Sequence, residues 1–200
     1  MKRLKQLTAL FCLMSVWFTG CGQAKVPETI EASTVIVSDK GQVTAHLVAD
    51  FDKSYYDLSE LTSMAEAEAA EFNEAKQSED KVVVERAELL GDARVMLTYR
   101  FDTWETYTEF NEGQLFYGTV NEAEEKGYIS GIALKSVKDG SVLSEEQMKQ
   151  YGDKEVIITD ADADIYCPRK AAYVSEGVSV NEDGSIAAAQ AEELVYILMK

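Results

Sequence analysis

Only one stretch of this chain keeps a helical period long enough to cover a sheet, and the residues on either side of it break into short β-rich runs. Leu58, Leu61, Ala65, Ala69 and Phe72 recur at spacings of three and four, with Asp57 or Ser59 placed to cap the first turn. Met64 widens that apolar face, and Glu60, Glu66, Glu68, Glu71 and Glu74 fall largely on the remaining surface. The small alanines let a sheet approach closely. The spacing predicts the main helix of the fold, laid across a sheet.

The flanking runs read as strands. Residues 34–37 and 42–48 surround the turn Ser38-Asp39-Lys40-Gly41, and residues 81–90 and 93–101 surround Gly91-Asp92, so two hairpins are expected. Asp102 is placed to cap a short helix ending at Glu112 and Gly113. A strand at 114–120 and a helical turn at 121–126 follow, then a strand at 132–137. Ser144 and Gln147 have capping-box spacing, with Met148 and Tyr151 on the inner face of a short helix. Beyond it the runs 155–159, 165–167, 171–175, 178–180 and 194–199 are all β-like, and the last is apolar enough for a central strand. The expectation is an α+β fold, a mostly antiparallel sheet with one main helix packed across it and a β-rich C-terminal part. Residues 34–200 read as one domain, with a subdivision near residue 140 as the alternative.

The start of the chain has a different character. Lys2, Arg3 and Lys5 precede an apolar run, residues 7–18, that is short for a membrane span and reads as an export signal over residues 1–20. The run closes on Phe18-Thr19-Gly20-Cys21, which resembles the lipobox of bacterial lipoproteins. The resemblance implies cleavage before Cys21 and a diacylglycerol on its thiol. Each buried methylene adds about 0.8 kcal/mol of membrane affinity, so two chains hold where one does not. Residues 21–33 would then form a tether reaching roughly 40 Å when extended, with the domain on the outer face of the cytoplasmic membrane.

A formal charge of −17 bounds the partners, and loss of Lys2, Arg3 and Lys5 on export makes it more negative. No Lys/Arg cluster is present to engage a phosphate backbone, so nucleic acid is not an expected partner. Anionic lipid heads would repel the domain everywhere except at its anchor. A hydrophobic content of 46% rules out charge-driven disorder. Cys12 leaves with the signal and Cys21 takes the lipid, so Cys167 is left without a disulfide partner and reads as a buried structural thiol.

Few residues point to chemistry. His46 is the sole histidine, too few for a two-histidine zinc helix, and no Gly-x-Ser-x-Gly elbow offers it a nucleophile. Asp160, Asp162 and Asp164 alternate as cation ligands can, but an EF-hand needs glycine and glutamate where this chain has Ile165 and Ala171. They read as a solvated acidic turn. Phosphate-cradling glycine loops are absent, and no cofactor motif is present. Tyr99, Phe101, Trp104, Tyr107 and Phe110, with Phe116-Tyr117, form the densest aromatic region. Trp104 and Tyr107 are the candidate ligand-binding pair, a sugar-stacking platform if exposed and core if not.

The order of lipobox, Ser33-Thr34-Val35-Ile36-Val37, the phrase Asp50-Phe51-Asp52-Lys53-Ser54-Tyr55-Tyr56-Asp57 before a Glu-rich helix, and the closing Leu194-Val195-Tyr196-Ile197 resembles a group of uncharacterised lipoproteins from anaerobic gut Firmicutes. That resemblance implies location and carries no activity. The expectation is a lipid-anchored, non-catalytic module for a small molecule, glycan or protein. The alternative is an extracytoplasmic hydrolase or metal-dependent enzyme acting on glycan or wall material. Replacing Cys21 with Ala should move the protein from the membrane fraction to the soluble extracytoplasmic fraction. Unchanged membrane association on fractionation would defeat the anchor.

Overall fold

The computed structural model describes residues 26–189 and 193–200, and the residues expected to form an export signal and lipobox, Cys21 included, lie outside them. The fold is α+β and sheet-rich, with strands arranged in two antiparallel-dominated sheets. The first hairpin is β1 (Thr34–Val37) and β2 (Val43–Asp50), and the second is β3 (Val82–Leu90) and β4 (Arg94–Phe101). Between them runs α1 (Leu58–Ala75), whose first turn is capped by Asp57 accepting from the Glu60 N–H. A second helix, α2 (Trp104–Asn111), leads to β5 (Leu115–Thr119) and the short α3 (Val120–Glu125).

The rest is mostly strand, as its texture implied. It comprises β6 (Ala133–Ser136), β7 (Val142–Ser144), α4 (Glu145–Met148), β8 (Glu155–Thr159), β9 (Asp164–Tyr166), β10 (Ala171–Ser175), β11 (Ser179–Val180), β12 (Ile186–Ala187) and β13 (Val195–Met199). Sheet A has the order β11-β12-β9-β1-β2-β4-β3, and sheet B the order β5-β8-β13-β10-β6-β7. Strands from beyond Gly140 therefore complete sheets begun before it. The join in sheet A is β1 beside β9, the one parallel pairing among the described strands, with Val35 opposite Ile165.

The two sheets share a core. Val35, Val37, Val43, Tyr99 and Phe101 of sheet A pack with Leu115, Ile157, Val195, Ile197 and Met199 of sheet B. The opposite face of sheet B is buried as well, where Phe116, Val156, Ile158, Tyr196 and Leu198 meet Val120, Ala123, Ile129, Leu134 and Met148. Strand β13 lies inside both cores, and all five of its residues are buried. That double burial explains why its sequence is apolar without alternation.

Helix α1 crosses the end of sheet A nearest β3, and Ala65, Ala69 and Phe72 face the core. Asn73 anchors it: its amide Nδ2 donates to the Val82 carbonyl at 2.8 Å, and its Oδ1 accepts the Val82 N–H at 2.9 Å. One side chain thus stands in for a strand neighbour at the edge of β3. Cys167 is buried in the shared core, where desolvation pushes its thiol up to about 12.

Local corrections are instructive. Thr103, not Asp102, caps α2 by accepting from the Thr106 N–H, because the Asp102 carboxylate is held by Lys81 at 3.0 Å and by the Thr106 hydroxyl at 2.5 Å. The helix turns at Glu112 in the left-handed region (φ 52°), one residue before the expected glycine. Strands β7 and β12 were not anticipated, being only three and two residues long. Residues 26–33 lie on the domain, where the Ser33 hydroxyl accepts from the Val48 N–H and Arg94 donates to the Glu31 carbonyl.

Asn73→Ala should cost roughly 2–4 kcal/mol, because both Val82 backbone groups lose their partner while buried. Urea unfolding of the two proteins checks this. A loss below about 0.5 kcal/mol would mean that Asn73 does not anchor the helix to the strand edge.

Candidate functional site

The aromatic series folds into two different environments. Tyr107 and Phe110 turn inward on α2, Tyr107 meeting Phe101 edge-on at 5.2 Å and Phe110 lying 5.4 Å from Phe72. Tyr107 is 8% exposed, and burial, with the Asp160 charge, pushes its hydroxyl up to about 12. It offers no stacking face to solvent. Trp104 behaves differently because it opens the helix: half-buried, it packs against both cores at once and meets Phe116 edge-on at 5.2 Å.

A cleft of 440 Å³ opens beside Trp104, bounded by the β1–β2 turn, the start of α2 and the β5–α3 junction. Its lining joins Trp104 and Tyr117 to the carboxylates of Asp39, Glu105, Glu122 and Glu155, with Lys40 on the turn. Two glycines shape it. Gly41 holds a positive φ of 76°, and a Cβ there would stand 3.4 Å from the Trp104 ring. A Cβ on Gly118 would fall 2.7 Å from Phe116 and 2.8 Å from the Glu122 carboxylate, so only glycine lets that carboxylate fold back onto the strand end. Glu122 then accepts from the Thr119 N–H at 2.7 Å and the Thr119 hydroxyl at 2.9 Å, closing a capping box.

The electrostatics of the cleft run one way. Hydrogen bonds from Thr119 hold the Glu122 carboxyl below its ordinary range. The Tyr117 hydroxyl is buried beside Glu155 without a hydrogen bond of ordinary geometry. Desolvation first, then the Glu155 charge, pushes it well above a free phenol. Glu155 itself is held by Arg169. An ionised acceptor and a firmly protonated phenol are both far from the mid-range pKa that proton transfer near neutral pH requires. The set is suited to accepting and donating hydrogen bonds around an aromatic face.

The other sequence candidates are dispersed. Asp160 accepts from the Gln114 N–H at 2.8 Å in a loop beside β5, whereas Asp164 begins β9, where burial and the Asp183 charge raise its carboxyl. Among the described residues no three His, Cys, Asp or Glu side chains gather as a cation site. His46 sits on the outer face of sheet A, its Nδ1 3.0 Å from the Thr98 hydroxyl on the paired strand. Residues 26–30 cover it, leaving a 560 Å³ space shared with Glu85, Arg86, Glu88 and Met96. Burial lowers its pKa and outweighs the two nearby glutamates.

Tyr117 and Glu155 were not singled out as a pair in the sequence, since 38 positions of chain separate strands that adjoin only in sheet B. Gly41 was visible, but only as a turn residue. No helix among the described residues is long and apolar enough to cross a membrane. Comparison with known proteins finds no matching family model, no matching curated protein and no matching solved structure.

The lowered His46 pKa carries a pH signature. Because the unfolded imidazole, near 6.5, binds its proton more tightly than the folded one, stability rises with pH through the window just below 6.5 and is lost as pH falls through it. The stability difference between the native sequence and His46→Gln, measured by urea unfolding from pH 8 to pH 5, should be flat above that window and change within it. A pH-independent difference would show that His46 does not titrate abnormally.

Proposed function

We propose that the protein is a lipid-anchored, extracytoplasmic binding module that holds a glycan at the Trp104–Tyr117 cleft. One observation carries this reading: a half-buried indole and a buried phenol hydroxyl beside Glu155 stand together in a cleft edged by carboxylates. Sugar rings present a flat C–H face to an aromatic ring and hydroxyls to acceptors around it, so the donor and acceptor inventory of the cleft matches that class. Glu122, held below its ordinary range by Thr119, is not the carboxyl that keeps its proton near neutral pH as hydrolysis requires. A membrane tether suits such a module by holding the cleft where wall and external glycans pass.

Trp104 provides its own probe. Trp17 belongs to the export signal, so the indole fluorescence of the exported protein comes from Trp104 alone. Titration with soluble oligosaccharides, β-1,4-linked N-acetylglucosamine chains among them, should shift that emission saturably. Tyr117→Phe removes a hydroxyl whose protein neighbour is the Glu155 carboxylate, so its stability should change by less than about 1 kcal/mol while affinity drops by about tenfold. If no oligosaccharide shifts the emission, or if Tyr117→Phe binds as tightly as the native sequence, the glycan reading fails.

A further inference from the structure

The shared core leaves one end of sheet A uncovered. At the far ends of β2, β3 and β4, Leu47, Leu89 and Val95 lie outside that core. Between the first turns of α1 and the end of β2 lies a groove of 410 Å³ lined by Ala49, Phe51, Tyr56, Leu61, Met64 and Val95. Its mouth is apolar and open: Tyr55 is 75% exposed and Met64 64%. Leu89, opposite Val95 across the β3–β4 pairing, is also exposed, as is Leu47 one register step along β2. The Tyr56 ring lies 5.0 Å from Phe51 in a tilted contact and 5.0 Å from Tyr55 edge-on, which holds two tyrosine rings at the rim. An open apolar groove of this kind marks an interaction surface rather than chance exposure.

The rim chooses the occupant. Asp50, Asp57 and Glu60 edge the groove, and Lys53 is the only cation between Asp50 and Ala75. We infer that this groove docks a basic amphipathic polypeptide segment, its apolar side chains seated between α1 and β2 and its Lys or Arg side chains against the Asp50, Asp57 and Glu60 carboxylates. Tyr55 and Tyr56 add ring faces on which a guanidinium or ammonium can rest. A helix presenting anchors at three- and four-residue spacing fits a groove of this shape. A second copy of the chain is a poorer occupant, since a twofold contact would set the acidic rim against itself. A bilayer is poorer too, because anionic headgroups meet the same carboxylates.

A synthetic Leu/Lys amphipathic helix of about five turns is the probe, with a Leu/Glu helix of the same pattern as control. Fluorescence anisotropy at about 0.15 M salt should show saturable binding of the Leu/Lys helix alone. Met64→Lys places a charge in the groove at an exposed helical position and should weaken that binding by about tenfold or more. Glu74→Lys shifts the net charge in the same direction at the far end of α1 and should weaken it less than about threefold. Equal losses from the two variants would mean general attraction to an acidic surface and would overturn the inference. So would absence of binding, binding of the Leu/Glu helix, self-association abolished by Met64→Lys, or adsorption of the lipid-free domain to anionic vesicles. The glycan titration reads a different cleft, so either result stands without the other.

Discussion

Burial of sheet B on both faces is the constraint on which the rest of the structure depends. Strand β13 supplies Val195, Ile197 and Met199 to the core shared with sheet A, and Tyr196 and Leu198 to the core beneath α3 and α4. Burying side chains of this size contributes about 1.5–3 kcal/mol each, and here the contribution comes from both faces of one strand. Cys167, the one cysteine among the described residues, is a free thiol, so within them the fold is closed by packing, and β13 closes it by entering both cores. Sheet A, by contrast, has its second face covered only in part, by residues 26–30, and along that face it keeps polar and titratable groups such as His46, Thr98, Arg100 and Asp164.

The cleft is a by-product of how the two cores meet. Strand β5 is an edge strand of sheet B, and its alternation sends Phe116 into one core and Leu115 and Tyr117 toward the other. Trp104 closes the seam by packing across that edge into both. The indole stays half-buried there, with the buried Gly41 close against its ring and the cleft open beside it. The same packing that stabilises the junction therefore leaves an aromatic face at the surface with the buried Tyr117 hydroxyl beneath it, and the surrounding turns add the carboxylates.

Local features were legible where a single segment decides them. The α1 face, the Asp57 cap, the Ser144 capping box and the uniform apolarity of β13 are each written within one short window. The division into two sheets was not, because it rests on β1 lying beside β9 and on β5 beside β8, pairings that no local period encodes. Competition for side chains hid other details: Asp102 has the chemistry of a cap, but Lys81 claims its carboxylate and leaves the helix end to Thr103. Trp104, Tyr107 and Phe110 share a spacing of three, which says that they share a face and not which of them meets solvent. Asp160 and Asp164 alternate in the sequence but sit in a loop and a strand, so the period that would align their carboxylates is broken between them.

Net charge and the apolar groove also explain each other. Exposed tyrosine, methionine and leucine side chains at one end of a sheet invite self-association, and an edge strand such as β3 adds unpaired backbone groups close by. The acidic residues along α1 and at the groove rim oppose both by repelling any identical surface, while the bulge between Val84 and Arg86 and the Asn73 side chain blunt the strand edge itself. Repulsion of this kind is selective by sign. It keeps copies of the protein apart and off an anionic bilayer, yet it strengthens attraction to any basic chain that carries apolar side chains. A surface of this composition can stay open without being indiscriminate, because the carboxylates and not the apolar groove they surround set the sign of charge it attracts.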